Sequence, residues 1–302
     1  MTDLKIEHVG VVGYGEVGKN FAAGLQPQVR SVAAWDLKFD LATVREAELA
    51  HSRRAGVVPT DSLKTLCAGT DLLISAVTAS STLAVAEAAA LHIRPGTVFL
   101  DLNSASPGTK QQAARLIDAT GAFYVEAGVM TSVPPYGIRV PMLLGGAYAG
   151  QLALQLQAWG MNARVVSDKL GVASAIKMCR SVMIKGLEAL VIESYATARA
   201  YGVEEHMIPT LQETFPGIDW QQQGAYFFSR VVQHGQRRSE EMREAANTVR
   251  EAGFEPFMTA AIADKQQWVA DQAKAGVFAG VGNGERWQTY ADNLLAARNK
   301  VA

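Results

Sequence analysis

The chain has few cysteines, little net charge and no long apolar run, and each shortage argues against a class of protein. Its two cysteines, Cys67 and Cys179, lie far apart without metal-ligand spacing, so we expect no metal site. Lys and Arg (28) nearly balance Asp and Glu (29), and the absence of a basic run argues against a nucleic-acid partner. No apolar stretch reaches bilayer length, and too few residues precede the first strand-like segment for a signal peptide. We therefore expect a cytoplasmic protein.

A run of glycines follows the first apolar segment. Residues 6–12 have the composition of a strand, and residues 16–25 have the apolar spacing of a helix. Between them the pattern Gly-x-Gly-x-x-Gly is typical of a dinucleotide-binding turn. In such a turn the first glycine makes the bend, the second admits a pyrophosphate and the third lets helix and strand pack closely. The candidate cofactor-binding residues here are Gly13, Tyr14, Gly15, Glu16, Val17 and Gly18.

A carboxylate ends the second predicted strand, residues 31–36. Asp36 follows the glycines by about twenty residues, the separation at which a ribose-binding acid is found. Because a carboxylate accepts hydrogen bonds from a ribose 2′-hydroxyl and repels a 2′-phosphate, Asp36 favours NAD as the cofactor. Two alternatives stay open. Asp36 could cap the following helix, and Lys38 could hold a 2′-phosphate, in which case the cofactor is NADP.

Strand and helix patterns alternate in the first half of the chain. Strands are predicted over residues 71–77, 97–100, 122–125 and 140–144, separated by alanine-rich helical segments. This alternation predicts an α/β Rossmann domain with a doubly wound sheet over residues 1–167. After residues 164–166 the strand pattern stops. We expect an all-helical domain over residues 168–302, entered by a long helix over 169–201, with breaks near Pro209, 216–217, 253–256 and 276–284.

Polar residues follow two of the predicted strands where ligands bind in such a sheet, at the carboxyl ends. Val77 and Thr78 end one strand, and residues 101–107 follow the next. We expect Val77, Thr78 and Asn103 to contact the cofactor and Ser104 to contact the substrate. Ser106, in the same loop, precedes a proline and is explained as a helix cap.

The long helix carries a lysine in an apolar setting. Lys177, Ser181 and Glu188 fall on one stripe of this helix, and Arg180 and Lys185 flank the stripe. A solvated face would explain Lys185 and Glu188, but it explains Lys177 less well, because small apolar residues surround it. Cationic side chains also cover apolar surface without taking part in chemistry, so the pattern alone leaves the role of Lys177 open.

Taken together, these motifs resemble the β-hydroxyacid dehydrogenase family, which includes 3-hydroxyisobutyrate dehydrogenase and, more distantly, 6-phosphogluconate dehydrogenase. The glycine turn, the loop of residues 101–107 and the Gly171-to-Lys177 spacing match three family motifs in order and spacing. The chain is most similar to the 6-phosphogluconate-dehydrogenase-like subgroup with an uncharacterised C-terminal domain. The resemblance implies that Lys177 is the general acid/base, that Ser104 helps to hold the substrate and that the helical domain forms an intertwined homodimer.

The chain departs from the family at two places. Arg180-Ser181 replaces the usual Asn-Asn, and Met130-Thr131-Ser132 replaces the usual Ser-Gly-Gly. Contacts to a substrate carboxylate must therefore be rearranged, and we take Arg180, Ser181 and Thr131 as candidate substrate contacts. Arg180 could equally form an ion pair with a glutamate. The substrate is not expected to be 3-hydroxyisobutyrate.

The resulting hypothesis is an NAD(P)-dependent oxidoreductase that transfers hydride between nicotinamide and the hydroxyl-bearing carbon of a hydroxy acid. Two alternatives remain. An imine reductase would have the same two-domain layout, but those enzymes resemble this family with Asp or Tyr in place of the lysine. A non-catalytic NAD-sensing protein would need neither Lys177 nor Ser104. The sequence suggests no role for Glu126.

Overall fold

The computed structural model describes residues 4–299 and divides into two compact units, one ending at Cys179 and the other beginning at Arg180. The first unit contains β1 (His8–Val12), α1 (Glu16–Leu25), β2 (Ser31–Trp35), α2 (Arg45–Arg54), β3 (Val58–Pro59), α3 (Leu63–Ala68), β4 (Leu72–Ser75), α4 (Thr82–Ala90), β5 (Val98–Asp101), α5 (Pro107–Asp118), β6 (Phe123–Val129), β7 (Met142–Gly145), α6 (Ala149–Ala158) and β8 (Ala163–Ser167). Helix α7 (Val172–Tyr201) begins in the first unit, and the second unit continues with α8 (Glu204–Thr214), α9 (Trp220–Glu251), α10 (Phe257–Lys274) and α11 (Trp287–Asn299).

The described strands form one eight-stranded sheet with the order β3-β2-β1-β4-β5-β6-β7-β8. The first six are parallel, in the order of a Rossmann fold. The predicted fold class, a Rossmann α/β domain followed by a helical region, is confirmed. The last two strands add a feature that the alternation did not predict, because β7 runs antiparallel to β6. The connection between them, residues 130–141, is built around a short 3-10 turn, and so the chain returns without a helical crossover.

The central strands are buried on both faces, as expected for parallel strands covered by helices. Alternate residues point to opposite sides of the sheet. Val11, Ile74 and Leu100 belong to one apolar cluster, while Leu73 and Phe99 belong to the other. Burial of each such side chain contributes about 1.5–3 kcal/mol, which makes these strands a rigid base for the loops at their carboxyl ends.

Aromatic pairs form the core of the second unit. Tyr195 meets Trp287 edge to face with ring centroids 4.9 Å apart, and Phe228 stacks on Tyr290 at 5.9 Å.

The predicted break near Pro209 is wrong, because α8 runs through this residue. The chain instead turns before α8, at Gly202, whose φ of +68° lies in the left-handed region that favours glycine. In the part of the chain that the structure describes, no helix has the length and apolarity needed to cross a membrane.

Candidate functional site

The three glycines after β1 occupy different environments. Gly13 has a φ of +92°, and its N–H donates to the Trp35 carbonyl at 2.9 Å. A Cβ on Gly13 would lie 2.5 Å from the Ala76 carbonyl oxygen, and one on Gly18 only 1.9 Å from the Gly13 carbonyl oxygen. A Cβ on Gly15, by contrast, would have no atom within 4 Å. Packing thus requires the outer glycines, and the central one faces the open space that a pyrophosphate needs.

Tyr14 contributes to this turn through its backbone. Its side chain is fully buried, with the hydroxyl 3.2 Å from His51 Nδ1 and the ring edge-on to Phe39. Burial raises the pKa of Tyr14 above its ordinary value. The phenol therefore belongs to the core, and among the proposed cofactor contacts Tyr14 can supply only main-chain atoms.

Asp36 connects the glycine turn to the end of β2. Its Oδ2 accepts the N–H of Tyr14 at 2.6 Å, and its Oδ1 accepts the N–H of Lys38 at 2.8 Å. The second bond caps a short 3-10 turn, so the capping role left open above is observed. Because each carboxylate oxygen accepts more than one hydrogen bond, and Asp36 is half-buried, this cap leaves the carboxylate with further acceptor capacity.

Asn103 holds the two neighbouring loops together. Its Oδ1 accepts the Val77 N–H at 2.8 Å, and its Nδ2 donates to Ser75 Oγ at 2.9 Å. The side chain is almost completely buried, so it positions the loop after β4 against the loop after β5. Ser104, the next residue, is half-buried, and Thr78 is exposed with its hydroxyl 3.1 Å from those of Ser80 and Ser81.

A buried ion pair lies beneath the Asn103 loop. Lys110 Nζ is 2.8 Å from Asp101 Oδ1, and both side chains are 1% exposed. Asp101 also accepts the Tyr124 hydroxyl at 2.5 Å and the Asn103 N–H at 2.8 Å. Burial, together with the Asp101 charge, raises the pKa of Tyr124 well above its ordinary value, so the phenol stays protonated and donates. The carboxylate is fully bonded, as a buried charge requires.

Lys177 lies on the second turn of α7 and is half-buried. Gly128 of β6 packs beside it: a Cβ on Gly128 would lie 3.1 Å from the Ala173 carbonyl oxygen and 3.5 Å from Lys177 Cβ. Glu126 pairs with Asp101, the last residue of β5, so Gly128 lies beyond the end of β5. Lys177 is thus placed at the carboxyl edge of the sheet, the edge from which the glycine turn, Val77 and Asn103 also emerge.

Glu126 is a site residue that the sequence analysis missed. It is completely buried in β6, and its carboxylate accepts the backbone N–H groups of Gly171, Ala173 and Ser174 at the start of α7. The available signal was a single acidic residue within an otherwise apolar strand, since a buried carboxylate must be hydrogen-bonded.

The predicted substrate contacts after Lys177 have different settings. Arg180 is exposed, while Ser181 is buried and its Oγ lies 3.3 Å from Lys185 Nζ. Lys185 in turn forms a 2.8 Å ion pair with Glu241. Thr131, in the loop after β6, is exposed.

Glu188 is also engaged inside the second unit. It forms a two-pronged ion pair with Arg238 and accepts a hydrogen bond from Gln266 at 3.2 Å. Lys185 and Glu188, two of the four charged residues on this part of α7, are therefore held in ion pairs within that unit.

Neither the cysteines nor the carboxylates form a metal centre in residues 4–299, where no group of three or more His, Cys, Asp or Glu is placed to bind one. Cys67 is buried, which raises the pKa of its thiol to about 12, whereas Cys179 is exposed.

Comparison with known proteins shows the family to which this chain belongs. Residues 8–135 match the NAD binding domain of 6-phosphogluconate dehydrogenase, and residues 198–269 match a domain of unknown function, DUF1932. A conserved hypothetical protein from Sinorhizobium meliloti 1021 is 37% identical, with 97% of each chain covered and a TM-score of 0.74. The chain belongs to the β-hydroxyacid dehydrogenase family. It falls in the 6-phosphogluconate-dehydrogenase-like subgroup that carries the uncharacterised C-terminal domain.

Two further relatives extend this family assignment. The conserved protein MTH1747, whose structure was described as similar to 3-hydroxyacid dehydrogenases, is 29% identical over 89% of this chain and 98% of its own, with a TM-score of 0.67. An uncharacterized 28.5 kDa protein from Methanothermus fervidus is 26% identical over 83% of this chain and 94% of its own.

The fold is also shared with solved structures of low sequence identity. A 3-hydroxyisobutyrate dehydrogenase of Mycobacterium tuberculosis is 14% identical, with 96% and 99% of the two chains covered and a TM-score of 0.67. An imine reductase of Myxococcus stipitatus is 16% identical, with 95% and 99% covered and a TM-score of 0.53. These likenesses show a common dehydrogenase-like fold, and the reaction must be argued from the site.

Proposed function

We propose that the protein is an NAD-dependent hydroxyacid dehydrogenase that uses Lys177 as its general acid/base. The observation that carries this proposal is the placement of Lys177 beside Gly128, at the sheet edge that also bears the glycine turn. A dinucleotide-binding turn alone would suit a sensor or a reductase of another class. A lysine amine at the same edge supplies the one group that oxidation of an alcohol requires beyond the hydride acceptor.

The glycine turn and Asp36 fit a dinucleotide. Gly15 is the N-cap of α1 and carries no side chain, so the helix N-terminus faces the open space beside it. The pyrophosphate would be held there, and the Asp36 carboxylate would accept hydrogen bonds from the adenosine ribose. When bound, the nicotinamide supplies a hydride acceptor in oxidation and a hydride donor in reduction.

The lysine handles the proton in either direction. In oxidation the neutral amine of Lys177 would accept the proton of the substrate hydroxyl, while the hydroxyl-bearing carbon loses its hydrogen with the bonding electron pair to the hydride acceptor and becomes a carbonyl carbon. In reduction the ammonium returns a proton to the developing alkoxide. Each oxidation leaves one proton on Nζ and each reduction removes one, and proton exchange with solvent returns the amine to its starting protonation state.

The substrate contacts support an anionic hydroxy acid that differs from 3-hydroxyisobutyrate. Ser104 follows Asn103, whose side chain joins the loops after β4 and β5. Arg180 carries a guanidinium that can bind a carboxylate or phosphate through two hydrogen bonds. Thr131 replaces a glycine of the family's usual pattern and adds bulk and a hydroxyl. Ser181 is a candidate contact, and it already shares a hydrogen bond with Lys185.

We also propose that residues 1–167 form the cofactor domain and residues 168–302 the substrate domain, and that the protein is a cytoplasmic homodimer. The family resemblance supports the homodimer, and the end of the strand pattern after residues 164–166 supports the division into two domains. Size-exclusion chromatography with light scattering distinguishes a dimer from a monomer of 32.3 kDa.

The test is a hydride-transfer screen that follows the absorbance of reduced nicotinamide. NAD and NADP are each supplied with a panel of hydroxy acids, sugar acids and, in the reductive direction, cyclic imines. Turnover of a hydroxy acid or sugar acid with NAD supports the proposal. Turnover of imines alone overturns it in favour of an imine reductase, and cofactor binding without any turnover favours a sensing protein.

A further inference from the structure

Glu126 has no place in the proton chemistry, yet its carboxylate is bonded entirely toward the helix that bears Lys177. Oε1 accepts the N–H of Gly171 at 2.7 Å and that of Ala173 at 3.1 Å, and Oε2 accepts the N–H of Ser174 at 3.3 Å. The first N–H groups of a helix have no partner within the helix, and its positive end attracts a negative charge. The acceptor here comes from a neighbouring strand 45 residues earlier in the chain, not from the helix's own N-cap side chain.

Two glycines make room for this contact. A Cβ on Gly145, on the neighbouring strand β7, would lie 2.5 Å from Glu126 Oε1. Gly171 has a φ of +98°, a conformation that a residue with a side chain rarely adopts, and this bend aims its N–H at the carboxylate. Local backbone and packing are therefore both arranged around the Glu126 carboxylate.

The same strand touches α7 at a second point, next to the lysine. Gly128 lies two residues beyond Glu126 and therefore on the same face of β6, where it packs against Ala173 and Lys177. Lys177 lies six residues beyond Gly171, about 9 Å along the helix axis. The Glu126 contact fixes the start of α7, and the Gly128 contact fixes the turn that carries Lys177. Strand β6 therefore holds this part of the helix at two points.

We propose that Glu126 is a positioning residue that holds the Lys177 amine at the sheet edge by anchoring the first turn of α7. This inference rests on the proposed function of Lys177. A misplacement of about 1 Å in a catalytic group can reduce turnover by about 100-fold, and so the anchor has a catalytic consequence without touching the substrate.

The variant that tests this role is Glu126→Gln, because glutamine keeps the size of the side chain and one acceptor oxygen. Its amide oxygen can still accept from Gly171 and Ala173, but its NH₂ group faces the N–H of Ser174, donor against donor. Asp71→Asn is the matched control. Asp71 Oδ2 accepts the N–H groups of Glu7 and His8 at 3.0 and 2.9 Å, at the amino ends of β1 and β4 and thus away from the proposed site.

The primary readout is the rate at which acetic anhydride acetylates Lys177 in the folded protein, followed by mass spectrometry of the peptide that contains it. Glu126→Gln should raise this rate at least threefold, and Asp71→Asn should leave it unchanged even if the melting temperature falls. With the substrate found by the screen, Glu126→Gln should lower kcat about 10-fold or more while the Kd for NADH stays within twofold of the wild-type value.

An unchanged acetylation rate, or a fall in kcat that is matched by Asp71→Asn, would overturn the positioning role and leave Glu126 as a structural cap. The proposed function fails in a different way. If the wild-type protein turns over no hydroxy acid, or Lys177→Met retains full activity, the catalytic role of the lysine is lost, whereas the acetylation comparison still decides whether Glu126 positions that side chain.

Discussion

The backbone N–H of Tyr14 donates to Asp36 Oδ2 at 2.6 Å, which fixes the carboxylate at the end of β2 directly against the glycine turn. Asp36 also accepts the backbone N–H of Lys38 and so caps the 3-10 turn that follows β2. One side chain thus stabilises both that turn and the glycine turn in which a pyrophosphate would lie. A fixed negative charge at this position bears on cofactor choice, because a ribose 2′-phosphate brought to it would be repelled.

We predict that the wild-type protein binds NADH at least 10-fold more tightly than NADPH, and that Asp36→Asn narrows this ratio. The amide removes the charge and keeps one acceptor oxygen, so one of the two backbone N–H groups, that of Tyr14 or that of Lys38, loses its partner. Fluorescence titration of both reduced cofactors measures the two affinities. If Lys38 instead holds a 2′-phosphate, the wild type will prefer NADPH, and Lys38→Ala will weaken NADPH binding alone.

We predict that alanine at Gly15 affects mainly cofactor binding, whereas alanine at Gly18 affects mainly stability. Gly15→Ala should leave the melting temperature nearly unchanged, because its Cβ meets no atom within 4 Å, but should weaken NADH binding about 10-fold or more. Gly18→Ala should lower the melting temperature by several degrees, because its Cβ would lie 1.9 Å from a carbonyl oxygen. Differential scanning fluorimetry with and without NADH distinguishes the two variants. Equal thermal destabilisation of both would contradict the difference in packing.

The buried ion pair beneath the Asn103 loop should be costly to break. Lys110→Met leaves the Asp101 carboxylate in the core without its cation, which we expect to lower the free energy of unfolding by about 3–5 kcal/mol. Urea denaturation followed by circular dichroism measures the change. Lys64→Met, at an exposed position on α3, is the control and should change stability by less than about 0.5 kcal/mol. A loss for Lys110→Met no greater than this would mean that the pair is dispensable.

The two cysteines should differ in reactivity. Burial raises the pKa of the Cys67 thiol to about 12, so at pH 8 it stays protonated, and the thiolate would form only as the pH approaches that value. Cys179 is exposed and should react. We therefore predict that a thiol reagent labels one equivalent per chain in the native protein at pH 8 and two in denaturant. Rapid native labelling of Cys67, identified by peptide mapping, would show that its environment is open.

The sequence predicts local features of the site well. The helix predicted over residues 16–25 is α1, with the same bounds, because its start is set by the glycine turn and its apolar spacing by the sheet beneath it. The lack of space for a side chain at Gly18 could also be predicted, since the third glycine of this motif allows the helix to lie close to its strand. Both features depend on residues that lie close together in the sequence, so sequence patterns can predict them.

Partners that are distant in sequence could not be predicted. The Glu126 carboxylate bonds to N–H groups 45 to 48 residues away, and Glu188 pairs with Arg238 on another helix, 50 residues away. In the same way, Asn103 has the polar character of a ligand contact in the sequence, but in the structure its amide bonds to Val77 and Ser75. A single sequence shows which residues are polar and where they lie along an element, but not which buried group each one satisfies.

The role of Lys177 is tested most directly by comparing turnover of the wild type and Lys177→Met, which keeps the length and apolar stem of the side chain but removes the amine. Rates of NADH formation are measured with the hydroxy acid identified by the screen, beside NADH titrations of both proteins. We predict that kcat falls 100- to 10,000-fold, the range expected for loss of a general acid/base, while the Kd for NADH changes less than twofold. A variant that turns over at the wild-type rate would show that the proton passes through another group and would contradict the proposed mechanism.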